Sequence, residues 1–189
     1  IFGVAEHGVL GLLFAVLILF LFLNSVRSTL VVSIVIPVSV IATFSMMYFT
    51  GQTINLISLS GLMLGLGSLV DFAVVILENI FRFRQQGKSM MAAAKEGSKQ
   101  VGNAVMASAL AQIVVFLPII FVEGLAAELF GPLALTVIFS HIAALLVSLM
   151  LVPMMSARLL KKMPDEALYR SGNYRGINPA VWFNIAFEK

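Results

Sequence analysis

Gly65-Leu66-Gly67-Ser68-Leu69-Val70-Asp71-Phe72-Ala73-Val74-Val75-Ile76-Leu77 is an apolar run with a single carboxylate near its middle. Extended back to Ile54, the run contains no other charged residue. A helix needs about 20 predominantly apolar residues to cross roughly 30 Å of hydrocarbon. The stretch Ile54–Leu77 therefore predicts a membrane-spanning helix that carries an acid at depth.

Working outward, apolar runs between polar punctuation predict further spans at about Val9–Leu23, Leu30–Phe49, Asn103–Val122 and Leu133–Met155. The fold class that follows is an all-α membrane protein with five transmembrane helices within residues 1–162 and a cytoplasmic segment at 163–189. Composition agrees: 60% of the 189 residues are hydrophobic, 11% are charged and mean hydropathy is +1.05. Soluble domains carry roughly 25% charged residues. Pro37, Pro118 and Pro153 fall in or near the ends of spans, where membrane helices tolerate proline as bends. The sequence holds no cysteine, so neither a disulfide framework nor a thiolate metal site is expected.

The basic residues set the orientation, because Lys and Arg remain in short cytoplasmic loops. Arg27 follows the first run. Arg82, Arg84, Lys88, Lys95 and Lys99 lie between the third and fourth, and Arg158, Lys161, Lys162, Arg170, Arg175 and Lys189 follow the fifth. The alternate connections, Thr50–Thr53 and the segment with Glu123 and Glu128, hold none. A multi-pass protein of the cell membrane with a cytoplasmic C-terminal tail is predicted, and the net charge of +3 calls for no nucleic-acid partner.

Past Met163 the chain turns polar, then Asn178-Pro179 reads as an N-cap followed by proline in the first turn of a short helix. Trp182, Phe183, Ala186 and Phe187 share one face of it, which suits either a helix lying in the cytoplasmic membrane interface or a core helix of a further soluble domain. The chain begins at Ile1 with no basic flank or small-residue cleavage site, and it is expected to be a fragment of a longer protein.

Asp71 is the first candidate site. A carboxyl surrounded by hydrocarbon either stays protonated, because desolvation disfavours the charge, or pairs with a cation from another helix, and both make it a proton site. The alternative is a neutral Asp hydrogen-bonded between helices. None of the 12 Lys and Arg residues lies deep in a span, so Asp71 is expected to project into a helix-lined interior and meet a partner outside this chain. His141, midway along the fifth run, is either a proton relay or a hydrogen-bonded packing residue. Gln112 reads as interhelical glue, and Gly61 and Gly65 as a small-xxx-small packing face, extended by Gly67 and Ser68 into a slender surface that also thins the helix near the acid. Glu78 and Arg82 have the spacing of an i,i+4 ion pair.

The run from Leu69 to Leu77, continued by Glu78-Asn79-Ile80, resembles the fourth-helix signature Val-Asp-Asp-Ala-Ile-Val-Val-Val-Glu-Asn of the hydrophobe and amphiphile exporters of the resistance-nodulation-division superfamily. Phe22-Leu23-Asn24-Ser25-Val26-Arg27-Ser28-Thr29, Ile36-Pro37-Val38-Ser39, Val115-Phe116-Leu117-Pro118-Ile119 and Pro153 are similar to other family stretches. The tail from Trp182 to Lys189 resembles the family's interfacial helix. The resemblance implies the second to sixth helices of a twelve-helix membrane domain, working as a homotrimer and exchanging protons for amphiphiles such as drugs, detergents, bile salts or lipopeptides. It implies further that Asp71 carries the proton, that a lysine of the remaining half of the transporter is its cationic partner, and that substrate binds in extracytoplasmic domains outside this chain. No enzymatic activity, cofactor or metal is implied; lipid is the other partner.

Two positions depart from that pattern. The second aspartate of the acidic pair is Phe72 here, which excludes a two-carboxylate relay, and a threonine expected near Ser108 is replaced by Ala109. On the helix Phe72 should pack to the side of Asp71, against the fifth span or lipid, and keep water from the acid. Rival readings of the same architecture are a sterol-sensing or receptor module that transports nothing and a protein-translocation accessory.

Overall fold

The computed structural model describes residues 10, 11, 14, 16–18, 20 and 26–160. The described residues form helices α1 (Val26–Phe49), α2 (Leu56–Gln85), α3 (Met90–Phe116) and α4 (Leu125–Leu159), with a short 3-10 turn at Leu117–Phe121 between the last two. No strand occurs among them. Four of their helical segments are long and apolar enough to cross a membrane: Ser28–Phe49, Leu56–Gln85, Met90–Phe121 and Leu125–Leu159. Of the expected first span, residues 10, 11, 14, 16–18 and 20 are helical and the rest lie outside the described residues. So do the segment 163–189 and its expected interfacial helix.

Local chemistry marks each boundary. Asn55 caps α2 by accepting from Ile57 N at 3.0 Å and Ser58 N at 2.8 Å, while Ser58 Oγ accepts from Asn55 N at 2.9 Å, a reciprocal capping box. At the far end α2 runs to Gln85, beyond the apolar limit at Leu77, because no residue from Glu78 to Gln85 breaks a helix. Gly87 stops it, at φ +84°, a left-handed conformation favourable to glycine. Ser89 then caps α3, accepting from Ala92 N at 3.3 Å. α3 therefore starts well before the apolar residues at Asn103, since Met90–Lys95 are good helix formers. The charged connection is thus two helix ends around a tight turn. Hydropathy finds where a helix is in oil, and capping finds where it ends.

The connections are short, so successive helices run antiparallel. Thr50–Thr53 and Glu123 lie at one end of the bundle; Arg82, Arg84, Lys88, Lys95, Lys99 and Arg158 lie at or towards the other. At that basic end Lys88 pairs with Glu96 and sits 4.6 Å from the centre of the Phe83 ring, while Arg84 Nη1 donates to Lys88 O at 2.9 Å.

α4 lies at the centre and packs on all three other helices, most extensively on α2. The shared core comprises Val31, Val35, Leu69, Phe72, Ala73, Ile76, Ile80, Ala109, Ala144 and Val152. Outside it large apolar side chains are exposed, among them Ile41, Leu110, Val114, Val115 and Met150. Such a surface fits a protein whose solvent is hydrocarbon, where backbone groups must be satisfied within each helix. The helices are continuous through Pro37, Pro132 and Pro153, whereas Pro118 stands where α3 gives way to the 3-10 turn.

Glycine sets the closest approach. A Cβ on Gly61 would come 2.7 Å from Leu133 O, and one on Gly65 would come 1.7 Å from Ser140 Oγ and 2.4 Å from Ser140 Cβ. Ser140 Oγ can rotate away, but Cβ cannot. Gly65→Ala should therefore force α2 from α4 and lower the thermal stability of the detergent-solubilised full-length protein, by about 1–3 kcal/mol if it behaves as other overpacked cores do. Ser140→Gly should restore much of the loss and Ser140→Ala should not, because alanine keeps the clashing Cβ. Equal rescue by both would contradict this account.

Candidate functional site

Two sets of residues on α2 face different surroundings. Successive residues of a helix turn by about 100°, so Gly61, Gly65, Leu69, Phe72 and Ile76 share the side turned to the core. Each of these is buried. Ser60, Leu64, Gly67, Asp71, Val75, Glu78 and Arg82 share another side, and each is exposed. Gly67 there has nothing within 4 Å of an added Cβ. Asp71 thus sits in the middle of a bare stripe that runs the length of α2.

Among the described residues α1, α3 and α4 leave Asp71 exposed, so the helix-lined interior expected around it needs elements outside the described residues. The reason is rotational. The glycines that admit α4 lie roughly 80–120° around the helix from Asp71, so the thin surface serves α4 and not an approach to the acid. Phe72, one residue on, is 4% exposed and belongs to the core, on the side of the bundle and not on lipid.

His141, at the middle of α4, is 3% exposed and both ring nitrogens are engaged. Nδ1 lies 2.7 Å from Val137 O and Nε2 lies 3.1 Å from Ser68 Oγ on α2. A carbonyl only accepts, so Nδ1 carries a hydrogen and donates it. The structure brings His141 to α2 one turn from Asp71, through Ser68. Ser68 lies about 60° around the helix from Asp71, on the shoulder between the bare stripe and the core face. Sequence reasoning placed Ser68 only in the slender surface. A hydroxyl three residues before an acid in an apolar run was the available signal.

Other expected contacts come out differently. Glu78 and Arg82 form no ion pair: both are exposed on the stripe, and an exposed i,i+4 pair gains little over solvation. Gln112 Oε1 is enclosed without a hydrogen-bond partner among the described residues, so the expected glue is not made there. The amide that does join helices is Asn79, 8% exposed, whose Nδ2 donates to Gly97 O at 2.7 Å and to Gln100 Oε1 at 3.1 Å on α3. Gly97 permits it, since its added Cβ would lie 2.9 Å from Ile80 Cα.

Known proteins resemble this chain along most of its length. Residues 1–188 match the model of the AcrB/AcrD/AcrF family. "Multidrug resistance protein MdtC" of Pectobacterium carotovorum subsp. carotovorum (strain PC1) is 37% identical over 174 residues, 92% of this chain and 17% of that protein. The protein of the same name from Photorhabdus laumondii subsp. laumondii is 43% identical over 152 residues, 80% of this chain and 15% of its own length. Among solved structures, one described as a heavy metal efflux pump superposes with a TM-score of 0.67 at 30% identity, covering 94% of this chain and 18% of that one. The chain spans less than a fifth of the length of these relatives.

Proposed function

The chain belongs to the AcrB/AcrD/AcrF family, and we propose that it is the part of a proton-driven exporter in which Asp71 carries the coupling proton. The observation that supports this is the exposed stripe of α2. Within the apolar stretch 54–77 it presents one carboxylate at depth, uncovered by α1, α3 or α4. The remaining half of the transporter covers that stripe and supplies the cation that Asp71 pairs with when charged.

In the cycle, Asp71 takes a proton from the outside, loses its attraction to the cation, and lets α2 move relative to the other half. Release to the cytoplasm restores the pair. α4, tied to α2 at Gly61 and Gly65, moves with it as one body. Each charge crossing the membrane potential supplies about 2.3 kcal/mol per 100 mV, enough to bias a two-state equilibrium more than tenfold. The Lys and Arg distribution supports a cytoplasmic basic end of the bundle and a location in the cell membrane. The assembly is a homotrimer in lipid, and the exported substrates are drugs or other amphiphiles bound in extracytoplasmic domains.

Ethidium accumulation in cells expressing the full-length protein tests this. A protonophore should raise accumulation to that of cells lacking the transporter, at unchanged ATP. Efflux that survives the protonophore and fails on ATP depletion would exclude proton coupling.

A further inference from the structure

The contact between His141 and Ser68 has a polarity. With Nδ1–H committed to Val137 O, a neutral imidazole has Nε2 free of hydrogen, and Nε2 then accepts from Ser68. The hydrogen of Ser68 is thus held by His141. When Nε2 gains a proton, the bond must reverse: Nε2–H donates to Ser68 Oγ, and the hydroxyl hydrogen becomes free to turn elsewhere. Residues three apart on a helix are surface neighbours, with Cβ atoms about 5–6 Å apart. The side chain three residues on from Ser68 is Asp71.

We propose that the His141–Ser68 pair is a positioning device that reports the protonation of a buried imidazole on α4 to the carboxylate on α2. Neutral His141 withholds the Ser68 hydrogen from Asp71. Protonated His141 releases it, and the freed hydroxyl hydrogen can then be donated to the Asp71 carboxylate. Only the proton taken up by Nε2 is added; the Ser68 hydrogen stays on Oγ and changes acceptor. The inference rests on the reading of Asp71 as the proton carrier, and it changes His141 from a stepping stone into a control on that carrier.

Among the described residues few other charges compete at this depth. Tyr48 lies near the end of α1, and Lys95, Glu96 and Lys99 fall in the first turns of α3. Glu128 and Arg158 lie near the two ends of α4, and on α2 the remaining ionisable groups, Glu78, Arg82 and Arg84, lie beyond Asp71 towards the basic end. Asp71 is the ionisable neighbour one turn from Ser68.

The test is ethidium transport by the full-length protein in proteoliposomes, recorded against pH for wild type, Ser68→Ala, Ser68→Thr, His141→Gln, the Ser68→Ala/His141→Gln pair and Asp71→Asn. Wild type should show two coupled titrations. Ser68→Ala and His141→Gln should each lose one of them, the double variant should match the singles, and Ser68→Thr, which keeps the hydroxyl, should retain the wild-type profile. Variants that scale activity equally at every pH, leaving the shape intact, would reduce the pair to packing and overturn the proposal. A profile altered by His141→Gln but not by Ser68→Ala would also overturn it, because the hydroxyl would not be the link. Transport retained in Asp71→Asn would overturn the underlying reading instead.

Discussion

Asp71→Asn in the full-length protein should lower proton-driven ethidium efflux more than tenfold, to the background of cells without the transporter, while its level in the membrane and its assembly stay near wild type. The two side chains have nearly the same shape, and Asp71 is exposed on the bare stripe of α2, outside the core that joins α2 to α4. Stability should therefore be insensitive to the change. What asparagine removes is the ability to alternate between a charged and a neutral state. A group that cannot alternate cannot make α2's pairing depend on the proton gradient, and a ligand binding both states equally shifts neither. Efflux retained by the variant would refute the reading of Asp71 as the proton carrier.

Phe72→Asp should have the opposite profile, losing protein before it alters pH dependence. Restoring the second acid of the family signature looks, on sequence alone, like adding a titrating site next to the first. Phe72 is 4% exposed among Leu69, Ile76 and the other core residues. Truncating a buried phenyl alone costs about 3–5 kcal/mol, and an unpaired carboxyl in its place adds a desolvation penalty of at least about 1 kcal/mol. The expected outcome is a marked fall in monodisperse protein on size-exclusion chromatography, with Phe72→Leu largely preserved. A well-folded Phe72→Asp with a new titration in its efflux profile would show that position 72 can rotate towards the stripe, and would refute the core assignment.

These two neighbours show how far a single chain can be read. That residues 54–77 cross a membrane, that the basic residues collect at one end, and that Asp71 is out of place in an apolar helix all follow from hydropathy and charge. Those are properties of each segment against its solvent, and they need no knowledge of other helices. Helix ends were less legible: the apolar limit at Leu77 marks where lipid ends, while α2 continues to Gln85 until Gly87 stops it.

Which side of α2 meets α4 was beyond that reach. Gly61 and Gly65 announce a close helix contact, but a small residue does not say which helix fills it, and α4 does. Likewise a histidine in an apolar run does not disclose its partner. Its bond to Ser68 spans 73 positions of sequence, and it exists because the glycine face of α2 lets α4 come near enough for an imidazole to reach across. Rotation about a helix axis is shared out among all the neighbours at once. Asp71 was therefore recognisable from its own segment, whereas the inward turn of Phe72 beside it was settled by how the described helices divide one core.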